Sequence, residues 1–530
     1  MKKALKYTGL SIFILALGIW LLPKFLGPGL PYHIRHIPIN ATKVFTINTS
    51  NVLKKVALES IFDMSFYDLI IDILTKEGIS INGEGPQELG FSMLKEYYFY
   101  NVDEVGRDDG YYGAVIPLDD VVRFSNYMTG RFKEAVETDG EFKWVNTNKT
   151  TCIDWNETDE VLLLVGGHKY AKILIKELFH LTTDESLAGK SPSFNQFQSS
   201  GFEMGAWLNF EVLYAQNKSK INALEQIGFE SKLLENAFIT SGFYFVDGTV
   251  NMEIDLHLND SFLETLPGLF VENDNQALFE NMMMQDLPLF GRFSLNTQKA
   301  ISLLEKHRSK FGIMGGMIIG QGVPKMLGGD MAITLNYVGM KKQKKYNWQT
   351  QITSYVDVPD YGYLGCVSIK DIEGVTTLLN SPLIMKTDDY YTIGGFANKM
   401  FVFLKQDKLY LTQSEKIRDE FLMKGNKGSS LNFSDEKFAI HIDIQQMLSK
   451  FSQEALKYFN IDQAVMISKE AESIDLQLNG MNDQIYNCAI QLHLLNKSEN
   501  SLYTILEMYN ASIKVPRFNE QINDLVTSKN

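Results

Sequence analysis

Phe45-Thr46-Ile47-Asn48-Thr49 returns as Phe293-Ser294-Leu295-Asn296-Thr297, an offset of 248 positions (296 less 48). Each pentapeptide reads as a short strand that leads into a helix-like stretch, Val52 to Leu58 in the first case and Ala300 to Leu304 in the second. Working outward, Tyr112-Gly113-Ala114-Val115, with Asp119 opening a helix-like run, matches Leu364-Gly365-Cys366-Val367 with Asp371, an offset of 252 (371 less 119). Trp207-Leu208-Asn209-Phe210 matches His441-Ile442-Asp443-Ile444 at 234 (443 less 209), and Leu256-His257-Leu258 matches Leu492-His493-Leu494 at 236 (492 less 256). Four matches in one order, with offsets that drift as loops gain and lose residues, are the signature of an internal duplication.

The local patterns give the unit its class. Met331, Ile333, Leu335 and Tyr337 alternate with residues that include Thr334 and Asn336, the period of a strand. Phe243-Tyr244-Phe245 passes through Asp247-Gly248 into Val250 to Leu258, a strong hairpin signal, and Ile474 to Leu478 turns through Asn479-Gly480 and Asn482-Asp483 into Ile485 to Leu494. Phe66 to Lys76 carries Leu69, Ile70, Ile73 and Leu74 on one helical face. The expected fold is α+β: two tandem homologous repeats of mostly antiparallel sheet with helices on one face, preceded by an N-terminal transmembrane helix. The expected boundaries are 1–30 for the anchor and neck, 31–265 for the first repeat, 266–287 for a linker, 288–499 for the second repeat and 500–530 for a C-terminal helix and tail.

The anchor is read from charge and apolarity. Lys2, Lys3 and Lys6 precede an apolar run from Thr8 to Leu22 that Pro23 and Lys24 close, a positive-inside arrangement. Leu10, Ile12, Phe13, Ile14, Leu15, Leu17, Ile19, Trp20, Leu21 and Leu22 are the side chains expected in the hydrocarbon. Tyr7 to Pro23 spans about 25 Å as a helix, and the apolar residues to Leu30 extend it. Ala16 and Gly18 have the spacing of a cleavage site but lie inside the apolar run, which favours an uncleaved anchor over a cleaved signal. The expected placement is the inner membrane, single-pass, with the bulk of the chain in the periplasm; a cleaved signal would leave it periplasmic or secreted.

Composition excludes several classes. With 530 residues, 45% hydrophobic and 22% charged, the chain has globular composition, and a net charge of -14 opposes nucleic acid as a partner. Cys152, Cys366 and Cys488 are too far apart for a zinc cluster or a redox pair and read as small buried residues. No cofactor and no metal is expected. His33 and His36 flank Arg35, but Pro31 and Pro38 argue against the helix that would bring them together. Gly189-Lys190-Ser191 ends like a phosphate loop, yet Asp184 replaces the required glycine and Pro192 is expected to spoil the next helix. Asn101 to Tyr112 starts like a calcium loop but has Val105 and Tyr112 at ligand positions. Gly320 and Gly322 lack the context of a dinucleotide site, and the glycine-rich Phe311 to Met331 reads as an apolar helix and turn. Asp119 and Asp371 read as helix N-caps, His257 and His493 as solvent-side or satisfied strand residues, and Met282-Met283-Met284 as core packing between the halves, with a soft binding surface as the alternative. Lys341, Lys342, Lys344 and Lys345 form one basic cluster, expected at a hairpin tip, either solvated or docking an acidic partner.

Ile37-Pro38-Ile39-Asn40-Ala41 followed by Val44-Phe45-Thr46-Ile47-Asn48, together with Gly113-Ala114-Val115-Ile116-Pro117-Leu118-Asp119, resembles the repeat motifs of uncharacterised exported proteins of Bacteroidota envelopes. The resemblance implies fold and compartment and no activity; the lipid-anchor cysteine that such proteins often carry is missing. The expected function is a non-enzymatic binding or scaffold subunit of an envelope complex, held by its N-terminal helix and contacting another envelope protein. The alternative is an exported, hydrolase-like enzyme whose dispersed site lies between the repeats.

Overall fold

The computed structural model of the chain describes residues 32–55, 89–103, 110–212, 235–259, 288–306, 322–347, 352–382, 384–394, 399–424, 438–452, 470–482 and 485–505. The expected anchor with Leu10 to Leu22, the Phe66 to Lys76 helix, the Met282 triplet, the linker and much of the glycine-rich segment lie outside these residues. Among the described residues no helix is long and apolar enough to cross a membrane. The chain divides into two compact units, one drawn from Met1–Lys54 and Tyr67–Leu208, the other from Lys55–Phe66 and Asn209–Asn530.

The first unit is an eight-stranded antiparallel sheet. Its elements are β1 (Lys43–Ile47), α1 (Thr49–Lys55), β2 (Tyr97–Val102), β3 (Tyr111–Pro117), α2 (Val121–Phe132), β4 (Glu137–Asp139), β5 (Phe142–Asn146), β6 (Cys152–Asn156), β7 (Val161–Gly166), α3 (Ala171–Phe179) and β8 (Met204–Asn209). Pairing gives the order β8-β1-β2-β3-β7-β6-β5-β4, so the first and last strands lie side by side. Asp154 and Trp155 are consecutive on β6 and face opposite ways. Trp155 meets Phe124 of α2 edge-on at 5.3 Å, while on the other face Phe142 meets Phe179 of α3 at 5.0 Å.

The second unit contains β9 (Phe238–Val246), β10 (Thr249–His257), β11 (Leu289–Ser294), α4 (Thr297–Lys306), β12 (Leu327–Asn347), β13 (Ile352–Ile369), α5 (Ile372–Leu379), β14 (Met385–Lys386), β15 (Tyr391–Ile393), β16 (Met400–Lys405), β17 (Lys408–Thr412), α6 (Glu415–Lys424), β18 (Phe438–Asp443), α7 (Ile444–Ser449), β19 (Ala471–Asn482) and β20 (Ile485–Leu494). Eight of its strands follow the order β18-β11-β12-β13-β17-β16-β15-β14, which matches the first unit strand for strand. Beyond β18 the ladder continues through β19, β20, β10 and β9. The β9–β10 hairpin therefore pairs with β20. It turns at Asp247-Gly248, where Gly248 has φ +66°, as the dipeptide predicts.

Helices cover both faces of each sheet, a correction to the one-face expectation. In the second unit Ile417 and Phe421 of α6 pack on Leu364, Cys366, Phe403 and Tyr410, whereas Val375 and Leu379 of α5 pack on Ile369 and Val402 from the opposite side. Over this part of β12 it is the side carrying Ala332 and Thr334, against α6, that is the deeper one. Thr334 is fully buried and donates to the Leu364 carbonyl at 3.4 Å, while Ile333 is 40% exposed. Two further local expectations are corrected. Tyr32–His36 is a short 3-10 helix despite its flanking prolines, and Pro192 begins the helix Pro192–Gln198, where its missing N–H costs nothing.

The helix caps recur in both units. Asn48 accepts from the Asn51 amide and Asn296 from the Lys299 amide; Asn209 accepts from Val212 and Asp443 from Gln446. Asp371 caps α5 through the Gly374 amide, but in the first unit Asp120, not Asp119, caps α2 through Arg123. The Asp-Asp pair made the sequence alignment slip by one residue. The carbonyl of Gly90 takes both Asp119 and Asp120 amides, as the carbonyl of Met326 takes those of Lys370 and Asp371.

Candidate functional site

Among the described residues, two histidines and an aspartate converge on the β18, β19 and β20 ladder. His441 is directly opposite Asp475, and Asp475 is diagonal to His493 through the Ser473–His493 pair. Side chains two apart share a face, so the three converge. The His441 Nδ1 atom is 2.6 Å from one Asp475 oxygen and His493 Nε2 is 2.8 Å from the other. Each of the three side chains is about three-quarters buried. Burial alone would raise the Asp475 carboxyl, but hydrogen bonds and charge from both imidazoles outweigh it and hold the group well below the carboxylate range. Phe290 stacks on the His441 ring at 4.7 Å, and the outer His493 nitrogen, Nδ1, lies 3.4 Å from the Thr249 hydroxyl. Because each ring gives one nitrogen to the carboxylate, its other nitrogen faces away. Among the described residues no group of three or more His, Cys, Asp or Glu side chains is arranged to hold a metal ion.

The neighbouring hairpin repeats this geometry with different chemistry. His257 Nε2 lies 3.3 Å from the hydroxyl of Thr240, which occupies the diagonal position that Asp475 holds beside His493. Phe238 stacks on His257 at 4.1 Å. Both histidines are satisfied strand residues, and only the second has an acidic partner of this kind. The sequence showed the recurrence of His257 and His493. It did not show Asp475 between two histidines, because that contact depends on a diagonal register across three strands.

In the first unit, Asp154 is fully buried beneath α3, and neither carboxylate oxygen makes a hydrogen bond of full geometry. Burial pushes it up to about 7, with the Lys176 charge and the Trp155 amide pulling back. Above it, Lys172 sits 3.4 Å from the Trp144 ring centre and Lys176 pairs with Asp139 at 2.7 Å. Asp154 is opposite Leu163 on β7, and Phe403 is opposite Tyr410 on β17. Leu118 donates to Glu160 as Ile369 donates to Asp407, which aligns β7 with β17. Phe403 therefore holds in the second unit the place of Asp154 in the first.

The remaining candidates are structural. His33 and His36 are buried, bonded to the carbonyls of Glu96 and Leu178 at 3.0 Å each, and burial pushes both down to about 4. Cys152 and Cys366 are free, buried thiols pushed up to about 12 by burial. Ser186 and Ser191 cap the short helices around Gly189-Lys190. The lysine cluster is not at a hairpin tip: Lys341, Lys342, Lys344 and Lys345 lie within β12, opposite Val358, Asp357, Tyr355 and Ser354. No family model matches the chain, and no curated protein or solved structure matches it.

Proposed function

We propose that this chain is a duplicated, membrane-tethered envelope scaffold that binds another envelope protein, akin to the exported Bacteroidota proteins whose motifs it resembles. The observation that carries this reading is where the two sheets differ. Strand order and caps are shared, but β2 and β3 have 6 and 7 residues where β12 and β13 have 21 and 18. Extra strand that no duplicate needs for its own sheet is available for a partner. In this reading residues 1–30 lie in the inner membrane with the units in the periplasm. Removing residues 1–30 then moves the chain from the membrane pellet to the periplasmic fraction; retention in the pellet argues against the tether. Purification from gently solubilised membranes yields a stoichiometric protein partner.

A hydrolase-like enzyme is the second reading, favoured by the His441–Asp475–His493 cluster. It expects a small molecule instead of a protein to accompany the chain, and loss of turnover in His493→Ala with the fold intact.

A further inference from the structure

The β12–β13 hairpin outgrows its neighbours. Among the described residues β11 pairs with β12 only from Asp330 to Leu335, and β17 with β13 only from Gly365 to Ser368. Residues 336–347 thus continue as a two-stranded ribbon of roughly 40 Å. The ribbon departs at an irregularity between Tyr337 and Gly339, where Gly339 has φ +144°, and Lys416 of α6 donates to the Val338 carbonyl at 2.9 Å. From Met340 onward the two faces differ. Val356 and Val358 are buried with Phe451 packed on them, whereas the other face carries Met340, 46% exposed, and Tyr355, 64% exposed, with exposed Lys342, Lys344 and Asp357 between. Lys342 is opposite Asp357 and Lys344 opposite Tyr355, so these side chains share one face.

Two physical facts select the occupant. The outer edge of β12 over residues 340–347 has no strand beside it among the described residues, and an unpaired edge is a template for a further strand. Lys341 pairs with Asp360 at 2.6 Å and Lys342 stands opposite Asp357, yet residues 340–347 and 352–360 together carry four lysines against two aspartates, a local charge of +2 (4 less 2), and screening limits the reach of more distant charge to about 8 Å at physiological salt. Lysines on an edge repel a second ribbon of the same kind, which disfavours self-pairing.

Resting on the scaffold reading, we propose that the partner adds an extended acidic segment as a strand along the free edge of β12, its carboxylates on Lys342 and Lys344. Backbone bonds supply the affinity and the lysines the register.

The test uses the full chain in detergent and a labelled peptide of alternating Val and Glu, with alternating Val and Lys and a proline-interrupted acidic copy as controls. The expected result is saturable binding of the first peptide alone, weakened about tenfold or more by high salt or by Lys342→Gln with Lys344→Gln, together with slowed amide exchange at 340–347. Absence of binding overturns the proposal, as does equal binding of the proline-interrupted copy, which cannot form a ladder. So do two other occupants: self-association of the wild-type chain that protects the same amides, or lysine-dependent capture by phosphatidylglycerol vesicles in place of the peptide. Co-purification separates the two levels: a stoichiometric partner retained equally by the double variant sinks this proposal and leaves the scaffold standing, whereas no partner at all sinks the scaffold.

Discussion

Asp154 and the His33–His36 pair pull the stability of the first unit in opposite directions with pH. A carboxyl raised from 3.8 to about 7 on folding contributes stability that is complete below pH 4 and is lost as pH rises to 7. That loss is about 4 kcal/mol for a shift of this size. Each histidine, lowered from 6.5 to about 4, contributes the reverse: stability present above pH 6.5 and lost as pH falls to 4. Each is worth about 3 kcal/mol by the same relation. With two groups rising and one falling, these three groups together favour the folded state most near pH 6.5. Replacing Asp154 by the Phe of its counterpart, or by the smaller Leu, raises stability at pH 8 by about 3 kcal/mol and removes the decline that the carboxyl gives above that pH, measured by urea unfolding across pH. Unchanged stability at pH 8 in Asp154→Leu would mean the carboxyl is not buried unpaired. Sequence alone gave no sign of this residue, because Cys152-Ile153-Asp154-Trp155-Asn156 reads as an ordinary strand with its acid toward water.

Caps and strand lengths set the element scale. Asp120→Ala and Asp371→Ala each remove a side-chain bond to a helix-opening amide and cost about 1 kcal/mol in chemical unfolding. Asp119→Ala costs less than about 0.5 kcal/mol, since its contact with Lys95 is 3.8 Å long and half exposed. Equal losses at 119 and 120 would restore the sequence alignment. Asn48 with Asn296 and Asn209 with Asp443 stood in the sequence only as aligned positions at strand ends, and their capping bonds to the amide three residues on came from the structure. The ribbon was not legible: a strand of 21 residues lies far above the usual five or six, so the lysines were assigned to a tip, whereas paired strand runs through them to Asn347. Of the two turn signals read between β19 and β20, Asn479-Gly480 sits at a ladder irregularity, and pairing continues to Asn482, opposite Ile485. The side of the sheet that each helix covers was also hidden, because an amphipathic stripe names a buried face and not the sheet face it meets.

At the scale of the whole molecule, order carried more than any single match. Three of the four sequence correspondences fall on strands of the two eight-strand orders, β1 with β11, β3 with β13 and β8 with β18, whereas the fourth falls on β10 and β20, which lie outside them. Compartment and partner rest on residues 1–30 and on the ribbon, and each has its own test above. The central claim is that one folding pattern was built twice, and its most demanding feature is that the first strand of each eight-strand order, β1 or β11, lies against the last of that order in sequence, β8 or β18, across long sequence separations. Cross-strand disulfides in a chain freed of Cys152, Cys366 and Cys488 test this directly. Phe45 is opposite Ala206, and Leu289 is opposite Ile442. Directly opposed residues have Cα atoms roughly 4.5–5.5 Å apart, within disulfide reach. Cysteines at both pairs should close as intramolecular bridges under mild oxidation, seen by mass spectrometry of the digested chain. Closure of one pair while the other stays reduced would contradict the duplication.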